Sequence, residues 1–491
     1  MGSGKVTDWQ GKHVTVAGLG VSGVPAAKVL HGLGAKVTVV NDGDDERARA
    51  QAAELEALGI TVRLGDGDTL PQGTELIVTA PGWKPDKPLF AAARQAGVPV
   101  WGDVELAWRL RGPDAAPWLA VTGTNGKTTT VQMLASILGA AGLRTAAVGN
   151  IGVSLLDAVL GDEEYDVLAV ELSSYQLHWA PSLRAHSAAV LNLAPDHLDW
   201  HGSMEAYAAD KGRIYEGNRI ACVYNVADKL TEDLVREADV EEGCRAIGFT
   251  LGTPGPSQLG VVDGILVDRA FVENRQKNAQ ELAEVSDIGP PVAHHRPSKE
   301  GASRPHFVAP HNIANALAAA ALARAFGVPP QAVRDGLRAF TPDAHRIAKV
   351  AELEGVTYVD DSKATNTHAA EASLASYESI VWIAGGLAKG ATFDELVAKS
   401  AKRLRAAVLI GADRALIREA LARHAPEVPV VDLDRTDTGA MLQAVTEAKR
   451  LAVAGDTVLL APACASMDMF TNYNQRGDAF AEAVRELGAG A

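Results

Sequence analysis

The sequence predicts an α/β protein of three domains, each built on a largely parallel sheet. Three observations carry that expectation. The chain has 491 residues, too many for a single hydrophobic core. Short apolar runs that end in Gly, Asp or Pro alternate with helical stretches along its length. Two glycine-rich turns, "GLGVSG" at 18–23 and "GTNGKTT" at 123–129, each follow an apolar strand and open a helix.

The first block, 1–112, reads as strand "HVTVAGLG", helix "VPAAKVLHGLG" and strands "KVTVVND" and "ELIVTAPG". "RGPDAAPW" at 111–118 is a linker, because Pro and Gly break both periodicities. The second block, 113–341, holds strand "WLAVTG", helix "QMLASILGAAG", strands "YDVLAVELSS" and "SAAVLNLA", and the small-residue helix "HNIANALAAAALARAFG". Within it, 275–305 is almost devoid of apolar residues and reads as a polar surface insertion, its His294 and His295 solvated. The third block, 342–491, carries the strands "VTYVDD", "SIVWIAGG", "AAVLIG" and "DTVLLAP". Their polar ends lie where an open α/β sheet places its site.

Composition narrows the function. With 46 basic and 61 acidic residues the formal net charge is -15. That balance opposes nonspecific binding to nucleic acid or an anionic membrane, both of which need a basic face. No apolar run reaches membrane-spanning length and no signal peptide is evident. Cys222, Cys244 and Cys464 show neither zinc spacing nor a disulfide framework, and Cys464 reads as a small buried residue. A reduced cytoplasmic protein is expected.

The chemistry sits at the turns. Gly18, Gly20 and Gly23 keep G-x-G-x-x-G order, and Asp42 closes the next strand. That is the NAD fingerprint, yet its physical content is narrower: bare N–H groups and a helix N-terminus facing an anion. A nucleotide-diphosphate sugar fits it equally, with Gly82 of "TAPG" lining the same crevice. In the second turn only Thr124 and Asn125 separate Gly123 from Gly126, so this is not a standard P-loop. Even so, Lys127 can reach β- and γ-phosphates and the Thr128 hydroxyl can reach Mg²⁺. Glu171 and His197 follow apolar strands, so a carboxylate and an imidazole can join Thr128 around one or two Mg²⁺. Lys211 reads as a surface helix lysine. His345, Arg346 and "DDSKATNTH" put basic groups and carboxylates at the start of the third block, and Ser466 and Tyr473 follow the last strand.

"GTNGKTT", "ELSSYQL", "NLAPDHLDWHG", "HNIANALAA", "HR", "DDSKATN" and "APACASMDMFTNYNQRG" occur here in the order seen in the Mur ligases. The chain resembles that family from Gly18 to Gly477. These ATP-dependent enzymes add amino acids to the peptidoglycan precursor. "GLGVSG", "GGLAKGATF" and "ACASMDMFTNYNQRG" favour the member that adds D-glutamate to UDP-N-acetylmuramoyl-L-alanine. The resemblance implies a Rossmann-like N-terminal domain, a central P-loop-ATPase-like domain and a Rossmann-like C-terminal domain. It implies activation of the alanine carboxylate as an acyl phosphate. A monomer is expected.

Residue by residue, Gly18, Gly20, Val21, Ser22, Asp42, Gly82 and Asn150 match the UDP-substrate site. Gly123 to Thr129 (Gly123, Thr124, Asn125, Gly126, Lys127, Thr128, Thr129), with Asn312, Asn315, Arg346 and Asp361, match ATP-contacting positions. Thr128, Glu171 and His197 match magnesium positions, and Lys211 matches a carbamylated lysine that helps hold a second Mg²⁺. Lys127, His197, Lys211 and Lys363 match catalytic positions, and His345 a nucleotide-contacting or catalytic one. Thr365, Lys389, Ser466 and Tyr473 match the D-glutamate pocket. Two departures stand out: Asp44 where relatives often carry a basic residue, and Tyr473 where Phe is usual. Three other readings remain: another amino-acid ligase of the superfamily, which would differ in the third block; a dehydrogenase, which would not need Lys127; and an inactive UDP-sugar binder, which intact Lys127, Glu171 and Lys211 oppose. The Asn-Pro-Arg motif of a diaminopimelate-adding relative is missing.

Overall fold

Apolar runs too short for helices settle as strands, and the computed structural model stacks them into three sheets. It describes residues 8–289, 308–341, 345–435 and 437–489. The first sheet contains β1 (His13–Ala17), β2 (Lys36–Asn41), β3 (Thr61–Leu64), β4 (Leu76–Thr79) and β5 (Val100–Gly102). All are parallel in the order β3-β2-β1-β4-β5. Strand order reverses between β1 and β4, which opens a crevice at their C-terminal ends. "GLGVSG" leaves β1 there, and Gly82 follows β4.

The central sheet contains β6 (Trp118–Thr122), β7 (Thr145–Gly149), β8 (Val167–Glu171), β9 (Ser187–Val190), β10 (Ala221–Asn225), β11 (Arg245–Phe249), β12 (Gln258–Val262), β13 (Ile265–Asp268) and β14 (Gln280–Glu284). Its order is β14-β13-β12-β11-β10-β9-β6-β8-β7, antiparallel only where β13 meets β12 and β14. β6 sits between β8 and β9, so the turn at Gly123 emerges at this sheet's own switch point. The small-residue helix Pro310–Ala325 starts with Pro in its first turn, where the missing N–H costs nothing. Asn315 to Ala323 are all buried along it, which six alanines permit by letting backbones approach closely.

The polar stretch 275–305 is not wholly an insertion. Residues 280–284 form β14, and Leu282 and Ala283 are fully buried in the central core. Two apolar side chains at the right register anchor an edge strand that composition alone misses. His294 and His295 lie outside the described residues.

The third sheet contains β15 (Ala348–Leu353), β16 (Val356–Asp360), β17 (Ile380–Gly385), β18 (Leu404–Ile410), β19 (Val430–Asp432) and β20 (Thr457–Leu460). Its order is β15-β16-β20-β17-β18-β19, with β15 antiparallel.

The chain forms two compact units. One holds the first two sheets, up to Leu193 and from Ser203 to Phe340; the other holds Ala194–Gly202 and the chain from Thr341 onward. Inside the first unit, one apolar core runs from Val14 and Val39 to Trp118, Ala120 and Tyr215. A polar seam follows it. The Gly102 N–H donates to the Trp179 carbonyl at 2.8 Å. The fully buried carboxylate of Glu105 accepts from the Ser182 N–H at 2.9 Å. Among the described residues no helix is long and apolar enough to cross a membrane.

Candidate active site

The turn after β1 is shaped by close backbone approach. Gly18 has φ 104°, a conformation that suits only glycine. A Cβ there would also press within 2.8 Å of Trp83 Nε1. Asn41 Oδ1 accepts from the Leu19 N–H at 3.1 Å and steadies the loop. Val21 is 84% exposed at its tip. Ser22 donates to Asp103 at 3.0 Å, and Gln176 of the central domain approaches the same oxygen at 3.5 Å. Burial raises the Asp103 pKa above the usual carboxylate range. Asp42, after β2, receives Lys87 Nζ at 2.9 Å. Lys87 also pairs with Asp68 and lies over the Trp83 ring, 4.9 Å from its centroid. Sequence reading found no basic group near Asp42, because Lys87 is 45 residues away and only the fold delivers it.

The second turn is a tighter construction. Thr124 N–H donates to the Asn192 carbonyl, and Asn125 N–H to Asn192 Oδ1, both at 2.9 Å. The Thr124 hydroxyl meets Tyr207 Oη at 3.0 Å. Gly126 is left-handed, φ 82°, and caps the helix Lys127–Ala140. The N-terminal N–H groups of that helix lie at its positive end, where an anion is favoured. Asn315 lies against Gly126, where a Cβ would overlap its Oδ1, and donates to Asn312 at 3.4 Å. Lys127 Nζ donates to the Gly123 and Thr124 carbonyls, each at 2.9 Å. Thr128 and Thr129 are buried at the helix start.

Lys211 corrects its sequence reading as a surface lysine. It is 2% exposed. From the helix Met204–Gly212 its Nζ donates to the Gly123 carbonyl at 2.9 Å and approaches Thr122 Oγ1 at 3.3 Å. The Tyr207 ring lies 4.8 Å away. A buried ammonium is tolerated where carbonyls and an aromatic face compensate its lost hydration.

Glu171 ends β8 with 2% exposure. Its Oε1 accepts from Asn150 Nδ2 at 3.0 Å. Its Oε2 is buried with no hydrogen-bond partner among the described residues. Such an oxygen fits a cation, since an orphaned buried carboxylate oxygen is otherwise costly. Yet the described residues contain no cluster of three or more His, Cys, Asp or Glu able to hold a metal. Mg²⁺ needs no such cage, because it keeps waters and binds through one or two carboxylates plus phosphates. His197 belongs to the second unit and Glu171 to the first. It stands left-handed, φ 54°, before the helix Leu198–His201, its Nε2 3.5 Å from Asp196.

In the second unit a buried guanidinium organises the strand ends. Arg476 is 1% exposed. It donates to Ser362 Oγ at 3.0 Å, the Ser362 carbonyl at 2.7 Å and the Cys464 carbonyl at 3.1 Å. Burial lowers its pKa to about 10. The loops after β16 and β20 are thereby tied together, which brings the DDSKATN and ACAS segments side by side. Ser362 donates to the Tyr473 carbonyl at 2.7 Å, and Lys363 Nζ lies 4.9 Å from the Tyr473 ring centroid. Thr365 N–H donates to the Lys363 carbonyl at 2.8 Å. Leu387 pairs with Ala465, which sets the loops of Lys389 and buried Ser466 against each other. His345 Nδ1 contacts Asp360 at 2.6 Å, and its Nε2 lies 3.5 Å from Asp478. Asp361 is buried, so its pKa rises to about 6 despite the Ser373 hydroxyl and the charge of Arg346. Sequence reading missed Arg476 and Tyr207, whose roles depend on contacts far along the chain.

These segments have known counterparts. Residues 12–102 match the Mur ligase MurD-like N-terminal domain. Residues 121–323 match the Mur ligase middle domain, and 345–464 the Mur ligase glutamate ligase domain. The chain is 86% identical over 484 residues to a UDP-N-acetylmuramoylalanine–D-glutamate ligase of Streptomyces avermitilis, covering 99% of this chain and 100% of that one. A Thermobifida fusca protein of the same name is 57% identical, covering 97% and 99%. A crystal structure of UDP-N-acetylmuramate-alanine ligase from Thermotoga maritima shares the fold at TM-score 0.54 and 19% identity, covering 97% of this chain and 99% of that chain. On the strength of three matched domains and relatives this similar over nearly their whole length, the chain belongs to the Mur ligase family.

Proposed function

We propose that this protein joins D-glutamate to UDP-N-acetylmuramoyl-L-alanine with ATP cleavage, a step of peptidoglycan precursor synthesis. The observation that carries the reading is the second glycine turn: a left-handed Gly126 opens a helix N-terminus, with Lys127 and Lys211 on the same loop carbonyl. The names of the 86% and 57% identical relatives support the choice of substrates.

The roles follow from charge. A carboxylate and a γ-phosphate repel, so cations have to screen them before they meet. Lys127 swings from the Gly123 and Thr124 carbonyls onto the β- and γ-phosphates, while the loop N–H groups cradle the same chain. Asn312, Asn315, Arg346 and Asp361 contact the nucleotide. Magnesium supplies further charge neutralisation on the phosphates, and Thr128, Glu171 and His197 are the residues that would hold it. The orphaned Glu171 Oε2 is the feature that fits it. Lys211, once carbamylated, would add oxygen donors for a second ion. The UDP moiety occupies the crevice of Gly18, Gly20, Val21, Ser22, Asp42 and Gly82, with Asn150 toward the phosphates. D-Glutamate binds at Thr365, Lys389, Ser466 and Tyr473, and its amine attacks the acyl phosphate through a tetrahedral intermediate. Lys363 steadies that developing negative charge. Positioning and electrostatics do most of the work. The enzyme acts as a cytoplasmic monomer, with domain limits at 1–112, 113–341 and 342–491.

The test is phosphate release from ATP with UDP-N-acetylmuramoyl-L-alanine and Mg²⁺ across a panel of amino acids. D-Glutamate alone should support turnover. Preference for another amino acid, or release without the UDP-sugar, sinks the assignment.

A further inference from the structure

Cys222 and Cys244 are 22 residues apart in sequence and bear no motif, yet the fold sets their sulfurs 3.9 Å from each other. Cys222 is 3% exposed on β10. Cys244 is half-buried and directly precedes β11. β10 and β11 run parallel, with Ala221 opposite Arg245 and Cys222 opposite Ala246. The two cysteines are therefore diagonal neighbours across a ladder. Cys244 N–H donates to the Glu241 carbonyl at 3.0 Å, which closes a turn through left-handed Gly243, φ 90°. Glu241, Glu242 and Gly243 are exposed and Cys244 lies outside the paired residues, so closing the sulfurs to the roughly 2.05 Å of a disulfide moves the turn and not the ladder.

We propose that Cys222 and Cys244 are an oxidation site at which a hydroperoxide converts two facing thiols into an intramolecular disulfide that a dithiol reverses. In the first step the Cys244 thiolate attacks a peroxide oxygen and the O–O bond breaks. The departing hydroxide takes a proton and becomes water, leaving a sulfenic acid on Cys244. In the second step Cys222 attacks that sulfur and surrenders its proton, the S–O bond breaks, and a second water leaves. Two thiols and one hydrogen peroxide give one disulfide and two waters, with two electrons passing from sulfur to oxygen.

The order of attack follows from the surroundings. The Cys244 thiol is held below its ordinary pKa, first by its contact with the Cys222 sulfur and then by the Arg245 N–H, against the effect of burial. The Cys222 thiol is pushed up by the same contact and by burial. Cys244 is also the more exposed, and thiolate character with access decides which cysteine is oxidised. The buried Cys464 has its thiol pushed up to about 12 and stays inert. Cys222 lies level with Ala188 and, through β9, with Ala120 of β6. The cross-link thus braces the sheet behind the Gly123 turn without entering it, so the oxidised protein should keep its activity.

Native protein exposed to hydrogen peroxide should lose two of its three thiols, counted after unfolding. Peptide mapping should find Cys222 joined to Cys244, and dithiothreitol should restore both. Cys222→Ala should stop at a sulfenic acid on Cys244 that dimedone captures. Cys244→Ser should leave Cys222 reduced. The proposal is overturned if all three thiols survive, if the two sulfurs go to sulfinic acid without a cross-link, or if Cys464 is the one that reacts. Mapping of the unsubstituted protein decides the matter even where a variant folds poorly.

Discussion

Lys211 Nζ donates a 2.9 Å hydrogen bond to the carbonyl of Gly123, the first residue of the phosphate turn. In this geometry the side chain is a cation braced on a backbone dipole. A carbamate at the same atom would keep one N–H able to donate to that carbonyl, while its carboxylate oxygens would have to point away from it. Lys211→Ala should nearly abolish turnover, and a short-chain carboxylic acid in the buffer should restore part of it. Full activity in the alanine variant, measured by phosphate release, would remove Lys211 from the reaction.

Gly126→Ala should damage ATP use while sparing the UDP-sugar. Alanine at φ 82° costs about 1–2 kcal/mol, and its methyl would displace Asn315. A rise of about tenfold in KM for ATP, or roughly 1.4 kcal/mol, is expected. Calorimetry should show UDP-sugar affinity unchanged. A loss there as well would mean that the two glycine turns are not independent.

Arg476 tests how the second unit holds its loops. Arg476→Met would leave the Ser362 and Cys464 carbonyls without their buried donor, at a cost of about 3 kcal/mol. Arg476→Lys keeps the charge but not the three-way geometry. Its KM for D-glutamate should rise more than its KM for the UDP-sugar. Equal rises would point to general unfolding rather than loop placement.

Asp361 makes stability depend on pH with a definite sign. Burial raises its pKa from 3.8 to about 6, so ionising it works against the folded state. That cost begins as pH rises through the unfolded value and is complete above about 6. Asp361→Asn should therefore match the parent below pH 4 and exceed it at pH 7.5, by up to about 3 kcal/mol. Thermal midpoints across pH report the difference; a variant less stable at high pH than at low pH, relative to the parent, reverses the argument.

Leu282→Ala should lower stability by about 2–4 kcal/mol, because Leu282 of β14 is fully buried. A change under about 0.5 kcal/mol, the range of surface substitutions, would return the stretch to the status of a surface insertion.

The strands β1, β2, β4, β6, β8, β9, β16, β17, β18 and β20 were legible in the sequence, since apolar runs bounded by turn residues survive translation into parallel sheets; the other strands were not read. Gly18, Gly126 and Lys127 were legible for a related reason: backbone shape at a strand–helix junction is a local property. Lys211 was not. Its helix looks exposed on one face, and only the packing of Tyr207 and the Gly123 carbonyl reveals the burial. β14 was hidden because two apolar residues in a polar stretch carry too little periodicity to register. The Cys222–Cys244 contact and the Lys87–Asp42 pair are products of tertiary placement, which spacing along the chain does not encode.

The seam between the first two sheets sets what cutting the chain would do. Gly102 and Glu105 bond to Trp179 and Ser182, and a single apolar core passes from Val14 to Tyr215. A protease nick in the linker at 111–117 should therefore release nothing: the two fragments should co-elute, and calorimetry of the intact chain should show both sheets melting in one cooperative transition. Residues 1–112 made on their own would expose the part of that core which the central sheet covers, and they should aggregate unless the remainder of the chain is added back.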